Sequence, residues 1–119
     1  MSEKLFQYDF AEIDGKIEMN IFLNSLTAKD RAKIKAYIDK LVELLNITAF
    51  PNTKLSKYLR DGIFELRVNL KNTTSRNLYF FMSDKYIIFT HGFIKKTEKT
   101  SENEINKAIR IKEIYKDKK

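Results

Sequence analysis

Hydrophobic residues change their spacing at this chain's single proline, and that change limits what the segments on either side can build. Before Pro51, the residues Ile34, Ile38, Leu41, Val42 and Leu45 recur every three or four positions, the stripe of an amphipathic α-helix. After it, "IFELRVNL" (63–70) alternates Phe64, Leu66, Val68 and Leu70 with Glu65, Arg67 and Asn69, which is the period of a half-buried strand. Punctuation supports both readings. Thr27 with Asp30 three residues on marks a helix start, and "IEMNIFLNSL" (17–26) before it carries a short helical face, so the two segments form an αα-hairpin. "KLFQYDF" (4–10) reads as a first strand, followed by a turn at Asp14-Gly15. "RNLYFFM" and "YIIFTHGF" read as two further strands joined at Ser83-Asp84-Lys85. Ser101 and Glu104 then form a second capping box, opening a helix with Ile105, Ala108, Ile109 and Ile111 on its apolar face. The expected order is β-α-α-β-β-β-α, an α+β fold. Its small, mostly antiparallel sheet would carry the αα-hairpin and a C-terminal helix packed on it.

Residues 1–119 are expected to form a single domain, because 119 residues with 43% apolar content support one core and not two. The absence of cysteine removes disulfides, thiolate metal sites and cysteine nucleophiles, and one histidine leaves only carboxylates for a metal. No apolar run reaches the roughly 18 residues of a membrane span, and "MSEKLFQYDF" has no signal-peptide core, so a soluble, cytoplasmic chain is expected. Its net charge of +7 is uneven: residues 1–50 carry seven Lys/Arg against eight Asp/Glu, and residues 51–119 carry sixteen against eight. Concentrated positive charge fits an anionic partner such as nucleic acid.

The basic residues fall at strand faces and strand ends. Arg67 lies on the polar side of one strand, Arg76 opens the next, and the third runs into "THGFIKKTEKT" (90–100), with His91, Lys95, Lys96 and Lys99. Adjacent strands lie under about 5 Å apart, so such groups can converge on one anion, and an arginine fork can hold two phosphate oxygens. Taken singly, each has a plainer reading: Arg67 as a solvated strand charge, Arg76 as a loop charge, His91 as a structural histidine, and "KKTEK" as a solvated turn. There is no G-x-G-x-x-G, no phosphate-binding Walker loop and no Ser-His-Asp set at usable spacing.

Together, "LRDGIFELRV" (59–68), "SRNLYFF" (75–81) and "THGFIKKTEKTSENEINKA" (90–108) resemble the RelE/HigB superfamily of toxins from type II toxin–antitoxin pairs, in its phage-derived HigB-like branch. The resemblance runs nearly unbroken from Leu55 to Ala108 and is looser over residues 1–50. It implies a ribosome-dependent endoribonuclease, an mRNA interferase that needs no metal or other cofactor and inhibits translation. Such an enzyme cuts message in the ribosomal A site by attack of a 2′-hydroxyl on the adjacent phosphate. By position it implies Arg67 and Arg76, with Lys95 or Lys96 after the last strand, as catalytic phosphate ligands, of which Lys96 is the expected one; Lys54, Lys57, Arg60, Lys95 and Lys99 are the expected RNA contacts. Some members of the wider family place a tyrosine near the C-terminal helix, where this chain reads "TSENEIN". His91 is therefore the expected proton-transfer group, with Glu65 a second candidate should it face the cleft. The resemblance also implies a helix-turn-helix, HigA-like antitoxin as partner. Two other functions stay open: a gyrase-directed toxin of the same fold, and an RNA-binding module without turnover. Alanine at Arg67, Arg76 or Lys96 is expected to leave folding unchanged and to lower cleavage.

Overall fold

In a computed structural model, which describes residues 4–51 and 53–118, the elements are β1 (Gln7–Phe10), α1 (Glu18–Asn24), α2 (Ala28–Thr48), β2 (Ser56–Arg60), β3 (Ile63–Asn69), β4 (Thr74–Met82), β5 (Tyr86–Ile94) and α3 (Glu102–Asp117). The strands form one mixed sheet in the order β1-β5-β4-β3-β2, with β1 parallel to β5 and every other pair antiparallel. The architecture is α+β, as the change of period requires. Helix α2 starts where Thr27 accepts a hydrogen bond from the Asp30 N–H at 3.1 Å, and it buries Ile34, Ile38, Leu41 and Leu45.

One strand was not expected. Residues Ser56–Arg60 pair with β3 as an edge strand, so the order is β-α-α-β-β-β-β-α. An edge strand needs no buried stripe: Ser56 is buried, while Lys57 and Tyr58 are exposed. The turn that folds it back is Asp61-Gly62, both at positive φ (52° and 81°), the two-residue geometry that Asp-Gly favours in a hairpin. Asp14-Gly15 repeats it at φ 52° and 80°, beneath the isolated bridge Ile13–Lys16.

Helices cover both faces of the sheet. On one face α1 and α2 pack with Leu66, Val68, Tyr79, Ile87 and Phe89; on the other α3 packs Ala108, Ile111 and Tyr115 against Ile63, Leu78, Phe80 and Ile88. Central strands β4 and β5 are therefore apolar on both sides, which explains their nearly continuous hydrophobic runs. The half-buried reading of β3 holds at Arg67 and Asn69, which are exposed, and fails at Glu65. The polar side of the strand lies toward α3, and Glu65 is buried there.

A bulge sets the faces of β5. Leu78 pairs with His91 and Tyr79 with Phe89, so Thr90 is an extra residue. Simple alternation places His91 on the same side as Phe89. The bulge turns it to the α3 side, while Phe89 packs under α1 and α2. Gly92 then passes beneath α1, where a Cβ would stand 2.7 Å from Asn77 Oδ1 and closer still to the Phe22 ring.

Candidate active site

Strand register brings the two central arginines together. Arg67 of β3 and Arg76 of β4 are direct cross-strand partners, both on the side facing α3, and Glu65 stands two residues before Arg67 on the same side. Arg76 is buried, at 2% exposure. Its Nη1 donates to Thr100 Oγ1 at 2.8 Å, its Nη2 donates to the Glu98 carbonyl at 2.5 Å, and its Nε lies 3.7 Å from Glu65 Oε1. Arg67 keeps a largely exposed side chain, with Nε 3.5 Å from Glu65 Oε2. Thr100 also donates to Glu65. A buried carboxylate is tolerated only where charge and hydrogen bonds replace water. Glu65 has both: Thr100 donates to it, and two guanidinium groups lie within 4 Å. Enclosed by these partners and, unlike Arg76, not among the residues that line the cavity described below, Glu65 is not placed as the base that the sequence left open.

Residues 95–100 curl from the end of β5 over Arg76 and lead into α3, whose Ser101 accepts from the Glu104 N–H at 3.3 Å. Under this loop is a cavity of about 330 Å³ lined by Arg76, Phe93, Lys96, Lys99, Ser101 and Glu104, among others. Three cations and one carboxylate line it. Each terminal nitrogen of Arg76 has two N–H groups. One of each is engaged by Thr100 and Glu98, which leaves donors over for a bound oxygen.

His91 lies behind this cavity and does not line it. It is buried, with Nε2 3.0 Å from Glu104 Oε1, Nδ1 3.1 Å from Thr90 Oγ1 and its ring stacked on Phe93 at 5.7 Å. Burial holds its pKa below the ordinary 6.5; Lys107 adds to that shift, and Glu104 and Glu18 oppose it. The lowered value favours the uncharged ring.

Of the other basic residues read from the sequence, Lys96 and Lys99 are exposed and line the cavity. Lys95 pairs with Glu98 at 3.3 Å. Lys57 is exposed on β2 opposite Glu65, and Lys54 is exposed just before that strand. Arg60 is engaged elsewhere: it bridges Asp61 at 2.6 Å, Glu102 at 2.8 Å and Asn106 at 2.6 Å, tying β2 to α3. Sequence reasoning missed Thr100, and it read Glu104 only as a helix cap. The signal for Thr100 is weak, since a threonine before a capping serine is ordinary. Among the described residues no group of three or more His, Cys, Asp or Glu is placed to hold a metal ion, and no helix is long and apolar enough to cross a membrane. The model of one protein family, "Phage derived protein Gp49-like (DUF891)", matches residues 21–113. No curated protein matches the chain.

Proposed function

The chain belongs to the Gp49-like family of phage-derived proteins, which is associated with the RelE/HigB-like toxins of toxin–antitoxin pairs, and on that premise we propose that it is a ribosome-dependent mRNA endoribonuclease of the HigB-like branch. The observation that carries this reading is the cavity where Arg76, Lys96 and Lys99 meet, with Arg67 on the neighbouring strand. In the proposed reaction a ribose 2′-oxygen attacks the adjacent phosphorus and the bond from phosphorus to the 5′-oxygen breaks. The products are a 2′,3′-cyclic phosphate and a free 5′-hydroxyl. Negative charge grows on the phosphoryl oxygens as the phosphorus becomes five-coordinate. Cations already fixed around that position stabilise it without reorganising.

Free RNA is a poor substrate on this reading, because "KTEKTSENEINK" offers no aromatic platform for stacking single strands. The ribosome holds the message, and exposed Lys54 and Lys57 contact ribosomal phosphates. The proposed partner is a helix-turn-helix, HigA-like antitoxin whose acidic segment covers the basic second half, with affinity that falls as salt rises. A small DNA-binding reading frame beside this one is expected; its absence counts against the toxin reading. The direct test incubates purified protein with programmed ribosomes and maps the message ends. Cut message with 5′-hydroxyl ends supports the proposal. Intact message overturns it and leaves a binding module or a protein-directed toxin.

A further inference from the structure

Glu104 occupies the third position of α3, where a capping-box glutamate ordinarily turns its carboxylate back to the N–H of the capping residue. Half of that box is present, since Ser101 Oγ accepts from the Glu104 N–H. The carboxylate goes elsewhere: Oε1 meets His91 Nε2 at 3.0 Å, and the group lines the cavity with Arg76, Lys96 and Lys99. Its side chain is 32% exposed, against 3% for that of His91. A glutamate drawn from its helix end to a buried imidazole on one side and an open cationic cavity on the other is placed to exchange a proton.

We propose that Glu104 is the proton acceptor of this cavity and that His91 is the residue that positions it. The inference rests on the ribonuclease reading and adds to it the group that activates the attacking hydroxyl. With Glu104 ionised, the contact between Nε2 and Oε1 requires a proton on Nε2, which the neutral ring supplies. Thr90 at Nδ1 and the stacked Phe93 then fix the plane of the ring. One carboxylate oxygen is held, and the other has lone pairs for a substrate. In the step itself, Glu104 takes the proton of the 2′-hydroxyl as the bond from the 2′-oxygen to phosphorus forms. The 5′-oxygen leaves with a proton from a cavity ammonium, Lys96 or Lys99, and Arg76 meets the charge on the phosphoryl oxygens. The field at this pair comes from His91 on β5, Arg76 on β4, Lys96 and Lys99 in the loop, Lys107 on α3 and Glu18 on α1.

The test measures message cleavage on programmed ribosomes, in single turnover and over a range of ribosome concentration, for the parent and for Glu104→Gln, Glu104→Asp, His91→Gln and His91→Phe. Glu104→Gln is expected to lower kcat by about 10²–10⁴, the scale of a lost acid–base group, with KM nearly unchanged. Glu104→Asp recovers part of that loss. His91→Gln still presents an N–H to the carboxylate and stays within about tenfold of the parent, the scale of one weakened hydrogen bond. His91→Phe fills the space without a donor and falls toward Glu104→Gln. Should His91→Phe fail to fold, the double variant decides: His91→Gln added to Glu104→Gln costs nothing more if His91 acts only through Glu104. Cleavage by Glu104→Gln at the parent rate overturns the proposal, and so does a His91→Gln variant as slow as Glu104→Gln. A parent protein that leaves message intact overturns the ribonuclease reading and this inference with it. A parent that cuts alongside an undiminished Glu104→Gln overturns the proton role alone.

Discussion

Arg67 and Arg76 face each other across β3 and β4 and both reach Glu65, but only Arg76 is buried. Truncating them should therefore differ in kind. Arg76→Ala strips a buried carboxylate of its enclosed cation and frees Thr100 and the Glu98 carbonyl, and should cost about 3–5 kcal/mol in a urea titration. Arg67→Ala removes an exposed partner and should cost under about 1 kcal/mol, while Lys96→Ala should stay within about 0.5 kcal/mol. Both exposed variants should still lose about 10²–10³ in cleavage, the measure of a missing transition-state donor. Reading all three as neutral to folding was reasonable from sequence, because nothing in "SRNLYFF" shows that residues 95–100 will close over Arg76. A second expectation concerns acid. His91 binds its proton less readily folded than unfolded, so between its lowered folded value and 6.5 the unfolded chain carries the extra proton. This contribution to stability is complete above 6.5 and is lost as pH falls through the folded value. Melting temperatures taken from about pH 8 to about pH 5 should drop more steeply for the parent than for His91→Gln.

Among the elements, β5 shows what alternation can and cannot reveal. Its strand character was plain from "YIIFTHGF", but counting by twos put His91 beside Phe89, and no residue in that run announces the extra Thr90. The edge strand β2 was missed for a different reason. It pairs on one side only and buries little beyond Ser56, so its residues show no period, although Asp61-Gly62 marked the turn after it. Helices were easier, because Thr27 and Ser101 declare their starts and the apolar stripe of α2 needs no tertiary context. The path of β5 under α1 carries its own expectation. Gly92→Ala pushes a methyl group into the Phe22 ring and toward the Asn77 amide oxygen, and should cost about 1–3 kcal/mol by overpacking. An unchanged denaturant midpoint would mean that α1 can slide away from the strand at no cost.

At the scale of the whole molecule, composition located the surplus charge in the second half, and the α+β class followed from the period change at Pro51. What composition could not convey is that the sheet has two separate apolar interfaces of unequal size. Among the described residues, the apolar cluster under α1 and α2 has twelve buried members and the cluster that α3 joins has eight. The remaining anchors of α3 include pairs of Lys118 with Asp14 and of Arg60 with Glu102, which are well exposed and contribute little. A helix held this way is expected to open first, ahead of the sheet. Glu104 belongs to that helix, and the residues 95–100 that cover Arg76 lead into it. Warming should therefore silence the protein before it melts it. Amides of α3 would exchange with deuterium faster than those of β4, and activity would fade reversibly at temperatures where the sheet is still intact.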